Sequence, residues 1–182
     1  MRVRSTTSVE GAAVEPLWRL YSEALGELRT RAVQRHLMTR DEFAAVLADR
    51  RVVKYVAEDD SGTPAGLATL TDDLEAVPLI SPDYFAHRWP EWYARRRIWY
   101  AVFVAVDRDA RAAQVFPGLM AELGRLPGDE GGIVAMDFCR ERAESGRMPA
   151  AIGWVIGKEV PGVQVERPDE QSYWAYEFPT RT

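Results

Sequence analysis

Apolar residues recur through the first part of the chain at the spacing of one helical face. Val14, Leu17, Trp18, Tyr21, Leu25, Leu28, Ala32 and Val33 fall on one stripe, which predicts a helix over about 14–37. Aromatic residues on such a stripe are read as core. Thr39-Arg40-Asp41-Glu42 then carries a capping box, in which hydroxyl and carboxylate satisfy free backbone N–H groups. It opens a second helix whose buried side is Phe43, Val46 and Leu47. Residues 52–58 and 65–71 read as strands joined by the turn at 59–64, an antiparallel hairpin.

Residues 74–96 break this regularity. Pro78, Pro82 and Pro90 interrupt them, yet they hold Tyr84, Phe85, His87, Trp89, Trp92 and Tyr93. Ser81-Pro82-Asp83 has the form of an N-cap with proline at the first helical position, so one or two short inserted helices are expected. Residues 97–106 are the longest strand and are apolar on both faces, as at the centre of a sheet covered by helices. A helix over about 113–125 follows, with Val115, Leu119, Met120 and Leu123 facing in, and Gly128, Gly131 and Gly132 mark a loop. A strand at 133–139, a helix at 147–157 and strands at 163–165 and 172–178 complete the reading. The central β-α-β stretch implies a parallel pair with a right-handed crossover.

Bulk properties narrow the class. A chain of 182 residues with 47% apolar content suits one domain with a real core, and no repeat, low-complexity tract or linker interrupts it. No run approaches the roughly 18–20 apolar residues that span a bilayer, so no membrane partner is expected. The first residues lack the apolar stretch of a secretory signal, and Cys139 has no second cysteine to pair with. Together these favour the cytoplasm. A net charge of −5 argues against general nucleic-acid binding. Arg88, Arg95, Arg96, Arg97, Arg108 and Arg111 nevertheless cluster, either as a solvated face or as a local positive field for a phosphate-bearing donor.

Two helices, a hairpin, a central β-α-β-α and terminal strands make up the element order of the GNAT acyltransferases, which the chain resembles over nearly its whole length. The local marker is a strand ending in valine, an acidic turn, then Arg/Gln-x-x-Gly-x-Gly/Ala opening a helix. The matching stretch runs from Val104-Ala105-Val106-Asp107 through Arg111-Ala112-Ala113-Gln114-Val115-Phe116. Arg111 keeps the first motif position, while Gln114 and Phe116 replace both glycines, and Pro117 requires a place in the helix's first turn. The resemblance implies a single α/β (α+β) domain over 1–182, with a mixed central sheet of about six or seven strands flanked by helices. The insertion at 74–96 would stand between the third and fourth strands, as a cover over the acceptor. It further implies that Val104 and Val106 hold the pantetheine arm of acetyl-CoA or another acyl-CoA through their backbones. Arg111, Ala112, Ala113, Gln114, Val115 and Phe116 would face its pyrophosphate, a helix N-terminus being a ready anion site. The implied activity is N-acylation of a small-molecule amine. A carrier-protein thioester or an aminoacyl-tRNA is an alternative donor, and a degenerate ligand- or partner-binding domain is a third reading.

Thioester aminolysis needs a deprotonated amine and a route for the departing thiolate. The tyrosine that some family members place on the helix after the fifth strand has no counterpart here, where Trp154 stands among 148–156. Asp137, inside an apolar strand, is a candidate base if a cleft buries it, or else a carboxylate capping a turn. His87 titrates near neutrality and is either a second base or an exposed loop histidine. Tyr100, Tyr173 and Tyr176 lie on strands where each either reaches the cleft or packs. Tyr84, Phe85, His87, Trp89, Trp92, Tyr93 and Tyr173 are candidates for binding the acceptor, or the insertion's rings seal the core or pair two subunits, so monomer and homodimer both stay open. Asp73, Asp83 and Glu91 lie where a cationic amine could be attracted. His36 is read as a helix C-terminal cation, and two histidines with one cysteine make no convincing metal site.

Overall fold

The computed structural model describes residues 1–33, 37–78, 80–108 and 114–178. The elements run β1 (Arg2–Thr6), α1 (Val14–Leu25), α2 (Leu28–Arg31), α3 (Arg40–Ala48), β2 (Val53–Glu58), β3 (Pro64–Leu70), α4 (Pro82–Arg88) and α5 (Pro90–Ala94). They continue with β4 (Ile98–Tyr100), β5 (Val104–Val106), α6 (Val115–Glu130), β6 (Ile133–Ala135) and α7 (Met148–Glu159). Strands β1, β2, β3 and β5 form an antiparallel sheet in that order, while β4 pairs in parallel with β6.

The pleat of the larger sheet decides which helices cover it. Val56, Leu67 and Ala105 point to one face, against Leu17, Tyr21, Phe43 and Leu47 of α1 and α3. Tyr55, Ala57 and Ala68 point to the other, against Val115, Leu119, Met120 and Leu123 of α6 and Ile152 and Ile156 of α7. This is the period-2 alternation of a strand buried on both sides. Gly66 fits α6 onto this sheet. A Cβ there would collide with Val115 Cγ1 and lie 2.8 Å from Leu119 Cδ1. Helix α7 packs on α6 through Gly124 and Gly128, the latter leaving only 2.6 Å between a hypothetical Cβ and Val160.

Local signals were met where a short motif fixes the backbone. Thr39 Oγ1 accepts from Glu42 N at 3.3 Å, and Glu42 Oε2 accepts from Thr39 N at 2.6 Å, so both halves of the capping box form. Ser81 Oγ accepts from Tyr84 N with Pro82 at the start of α4, as expected. Pro117 falls in the first turn of α6.

Elsewhere the structure differs. The helix expected over 14–37 ends at Leu25, where Gly26, a poor helix former, precedes a separate one-turn α2. Ala32 is extended and Val33 is exposed instead of lying on the buried stripe. β1 was not expected; it gains its place by pairing with β2, with Arg4 Nε 2.8 Å from Glu58 Oε1. Helix α6 runs to Glu130 through Pro127 and Gly128, because packing against α7 outweighs their low propensity. The strand at 133–139 shrinks to β6, since its partner β4 ends at Tyr100. Residues 163–178 form no strand; Val163 and Val165 lie instead against Gly157 and Gly153 of α7.

The long strand expected at 97–106 is two strands, and the reason is one inserted residue. Thr71 and Tyr100 exchange both backbone hydrogen bonds, at 3.0 and 2.7 Å, and Thr69 N donates to Phe103 O at 3.2 Å. Leu70 on the β3 side is thus matched by two residues, Ala101 and Val102, on the other. This is a β-bulge at 101–102, and a bulge bends its strand. β4 stays with β6, and β5 turns along β3.

Lys54 is wholly buried beneath the sheet. Its ammonium donates to Thr7 O at 3.0 Å and to Asp49 O at 2.5 Å, the latter at the negative end of α3. Burial pulls its pKa from 10.5 to about 8, against the opposing charge of Asp49. Between these values the unfolded chain holds a proton that the folded chain has lost, so this group's contribution to stability rises with pH across that window. Lys54→Met is expected to cost about 1–3 kcal/mol by orphaning two carbonyls. It should also flatten the pH dependence of the urea midpoint between about pH 8 and 10 relative to wild type.

Candidate active site

The bulge creates an open strand edge. Asp107 N donates to Ala65 O at 2.9 Å and Thr69 N to Phe103 O at 3.2 Å, which marks 65/107 and 69/103 as hydrogen-bonded pairs. Antiparallel pairs alternate, so Val104 opposite Ala68 and Val106 opposite Gly66 turn their N–H and C=O groups away from β3. No strand lies on that side of β5 among the described residues, because β6 pairs with β4. The two central strands therefore splay, with backbone polar groups of Val104 and Val106 facing the gap.

β5 leads toward α6. Gln114 is exposed just before the helix, Val115 is buried against the sheet, and Phe116 is half-buried against the same core. Pro117 stands in the first turn of α6, a position where helix N–H groups as a class lack intrahelical carbonyl partners. Arg111, Ala112 and Ala113 lie outside the described residues, as does His36.

At the mouth of the gap the structure joins two residues that the sequence offered separately. β4 and β6 run parallel with Tyr100 opposite Ala135, so the end of β4 faces the chain just beyond β6. There Tyr100 Oη donates to Asp137 Oδ1 at 2.8 Å. Tyr100 is buried, and burial first, then the charge of Asp137 and the hydrogen bond to it, push the phenol's pKa well above its usual value. It stays protonated and acts as a fixed donor. Asp137 itself is exposed, which corrects the expectation of a carboxylate buried inside a strand. Its residue lies past the end of β6, where it accepts from Tyr100.

The other candidates are more dispersed. Phe85 is buried and packs edge-on to Tyr100 at 6.3 Å, with Trp89 at 5.9 Å from Phe85. Trp89 and Trp92 are half-buried in the same small core, so much of the insertion seals one end of the protein. Tyr84 is exposed, and its hydroxyl donates to Pro168 O at 2.9 Å. His87 is exposed on α4 and no hydrogen bond ties it to the Tyr100–Asp137 pair. Tyr173 and Tyr176, expected on a strand, lie in the exposed C-terminal segment.

Four of the clustered arginines form ion pairs with acidic residues. Arg88 pairs with Glu166, Arg96 with Asp72, Arg97 with Glu130 and Arg108 with Glu27. Each described pair is spent on a different part of the surface. The features that sequence reading missed are the bulge and the close approach at Gly66. Nothing in an apolar run marks an inserted residue, whereas a glycine inside a strand pattern does signal a close backbone or helix approach.

No protein-family profile matches this sequence, and no curated protein matches it. Solved structures do. A ribosomal-protein-alanine N-acetyltransferase from Brucella melitensis biovar Abortus superposes with a TM-score of 0.53 at 14% identity, covering 96% of this chain and 99% of that one. An aminoglycoside acetyltransferase from an uncultured soil metagenomic sample, solved in complex with sisomicin, gives 0.55 at 9% identity and covers 97% and 96%. The aminoglycoside N-acetyltransferase AAC(6')-Iy in complex with CoA gives 0.53 at 16% identity and covers 96% and 95%. The protein has the GNAT fold, carried by a divergent sequence. It is a mixed α/β structure with an antiparallel sheet flanked by helices, and among the described residues no helix is long and apolar enough to cross a membrane.

Proposed function

We propose that this protein is an N-acyltransferase that moves an acyl group from acyl-CoA to an amine of a small-molecule acceptor in the cytoplasm. The observation that carries this reading is the open backbone edge at Val104 and Val106, running toward the first turn of α6. A pantetheine arm is a chain of amides and can pair with such an edge as a strand would. Free N–H groups at the start of a 16-residue helix suit the pyrophosphate beyond it. The thioester would then lie near the end of β4, beside Tyr100 and Asp137.

The chemistry follows from that placement. Asp137 takes a proton from the acceptor's ammonium group, and Tyr100 holds the carboxylate in place. The freed amine attacks the thioester carbonyl, a C–N bond forms, the C–S bond breaks, and the second amine proton passes to solvent or to the departing thiolate. A thiol with a pKa near 8.5 departs as thiolate without an obligatory acid, which fits the absence of a tyrosine on α7. Residues 74–96 flank the acceptor end, with Tyr84 and His87 exposed and Trp89 half-buried behind them, and the whole chain acts as one domain. The aminoglycoside enzymes of the same fold make a small amine a reasonable acceptor class.

Gln114 and Phe116, where the family's glycines would stand, favour a second reading in which the donor is a carrier protein or an aminoacyl-tRNA. Ligand stabilisation separates the two. A CoA thioester at about 100 times its Kd should add about 2.7 kcal/mol to unfolding stability, read as a raised Tm. No shift with free CoA, acetyl-CoA or longer acyl-CoAs would exclude CoA as donor.

A further inference from the structure

The C-terminal segment carries the largest unexplained apolar surface. Trp174 is 80% exposed, Tyr176 81% and Phe178 85%, at alternate positions of Ser172-Tyr173-Trp174-Ala175-Tyr176-Glu177-Phe178. A seven-residue run with four aromatics, one charge, no proline and no glycine has the composition of a strand that seeks a partner. It joins no sheet among the described residues. Its approach is fixed well before this point, because Val165 lies against Gly153, Arg88 pairs with Glu166 and Tyr84 donates to Pro168. Isolated exposed apolar residues need no explanation, but three aromatics on one edge of one unpaired segment do.

We infer that residues 174–178 pair antiparallel with the same residues of a second copy of this chain, forming a two-fold dimer contact centred on Tyr176. Identical strands pair antiparallel across a two-fold axis, so the surface must be complementary to itself. This one is. Centring on Tyr176 sets Trp174 opposite the second copy's Phe178 and Tyr176 opposite itself, a continuous aromatic ladder. Ala175 then faces Glu177, so the two carboxylates never stand opposite each other. Six aromatic side chains, at roughly 150–250 Å² each, bring on the order of 1,000 Å² into contact, near the lower end of stable interfaces. The proposal does not depend on the donor or on the reaction.

Sedimentation velocity on the full chain tests the association, and cysteine cross-linking tests the register. The expected mass is twice 20.5 kDa, and the triple substitution Trp174→Ser, Tyr176→Ser and Phe178→Ser should return it to one chain while the circular dichroism spectrum is kept. With Cys139→Ser as background, Tyr176→Cys should form a disulfide-linked dimer on oxidation, since residues directly opposite lie about 4.5–5.5 Å apart. Trp174→Cys alone should not, whereas Trp174→Cys with Phe178→Cys should. A monomer at high micromolar concentration overturns the proposal, as does a dimer that survives the triple substitution. Equal cross-linking from Trp174→Cys and Tyr176→Cys overturns the register.

Discussion

Asp137→Asn is expected to lower kcat by about 10²–10⁴-fold, the usual worth of a positioned general base, while leaving CoA affinity unchanged. The carboxylate stands at the end of the open strand gap and accepts a hydrogen bond from Tyr100. Asparagine keeps the size and one acceptor oxygen and removes the charge and the ability to take a proton. Tyr100→Phe provides the matched test of positioning. It deletes a donor that stabilises the charged carboxylate, so the acid limb of the kcat/KM profile should move to higher pH. The stability cost should stay near about 0.5–1.5 kcal/mol, because the exposed partner can be rehydrated. A full-strength Asp137→Asn enzyme would remove this carboxylate from the chemistry, and an unmoved acid limb in Tyr100→Phe would remove the tyrosine from its control.

Gly66→Leu is the second large effect. A Cβ at this position already collides with Val115 and crowds Leu119, which are 3% and 0% exposed. Overpacking of this kind costs about 1–3 kcal/mol or more. The same strain pushes the start of α6 off the sheet, and with it the N–H groups proposed to meet the pyrophosphate. Denaturant midpoint and CoA affinity should therefore fall together. A variant that loses stability and keeps wild-type CoA affinity would show that the position of α6 does not matter to the donor.

The sequence was most informative where one or two residues fix a backbone conformation. The Thr39–Glu42 box and Ser81-Pro82 name their helix starts because hydroxyl, carboxylate and proline act within one turn. The strand at 97–106 misled because both faces are apolar, and such a run carries no period to reveal a residue inserted at 101–102. The C-terminal strands misled for the opposite reason. Their alternation is real, but a strand needs an edge to pair with, and none among the described residues takes residues 172–178. Tyr100 and Asp137 were each legible as candidates, yet only the parallel register of β4 and β6 brings them together. Lys54 gave no signal at all, since a lysine in an alternating strand reads as solvent-facing until helix α3 and Thr7 close over it.

The gap between β5 and β6 is most directly tested by amide NMR of the full chain during titration with CoA. Val104 and Val106, together with Val115 and Phe116, should show the largest shift changes, and β1 and β2 on the far side of the sheet should show little. Saturable shifts confined to those residues would place the donor on the open edge. Shifts clustered elsewhere, or none at saturating CoA, would contradict it.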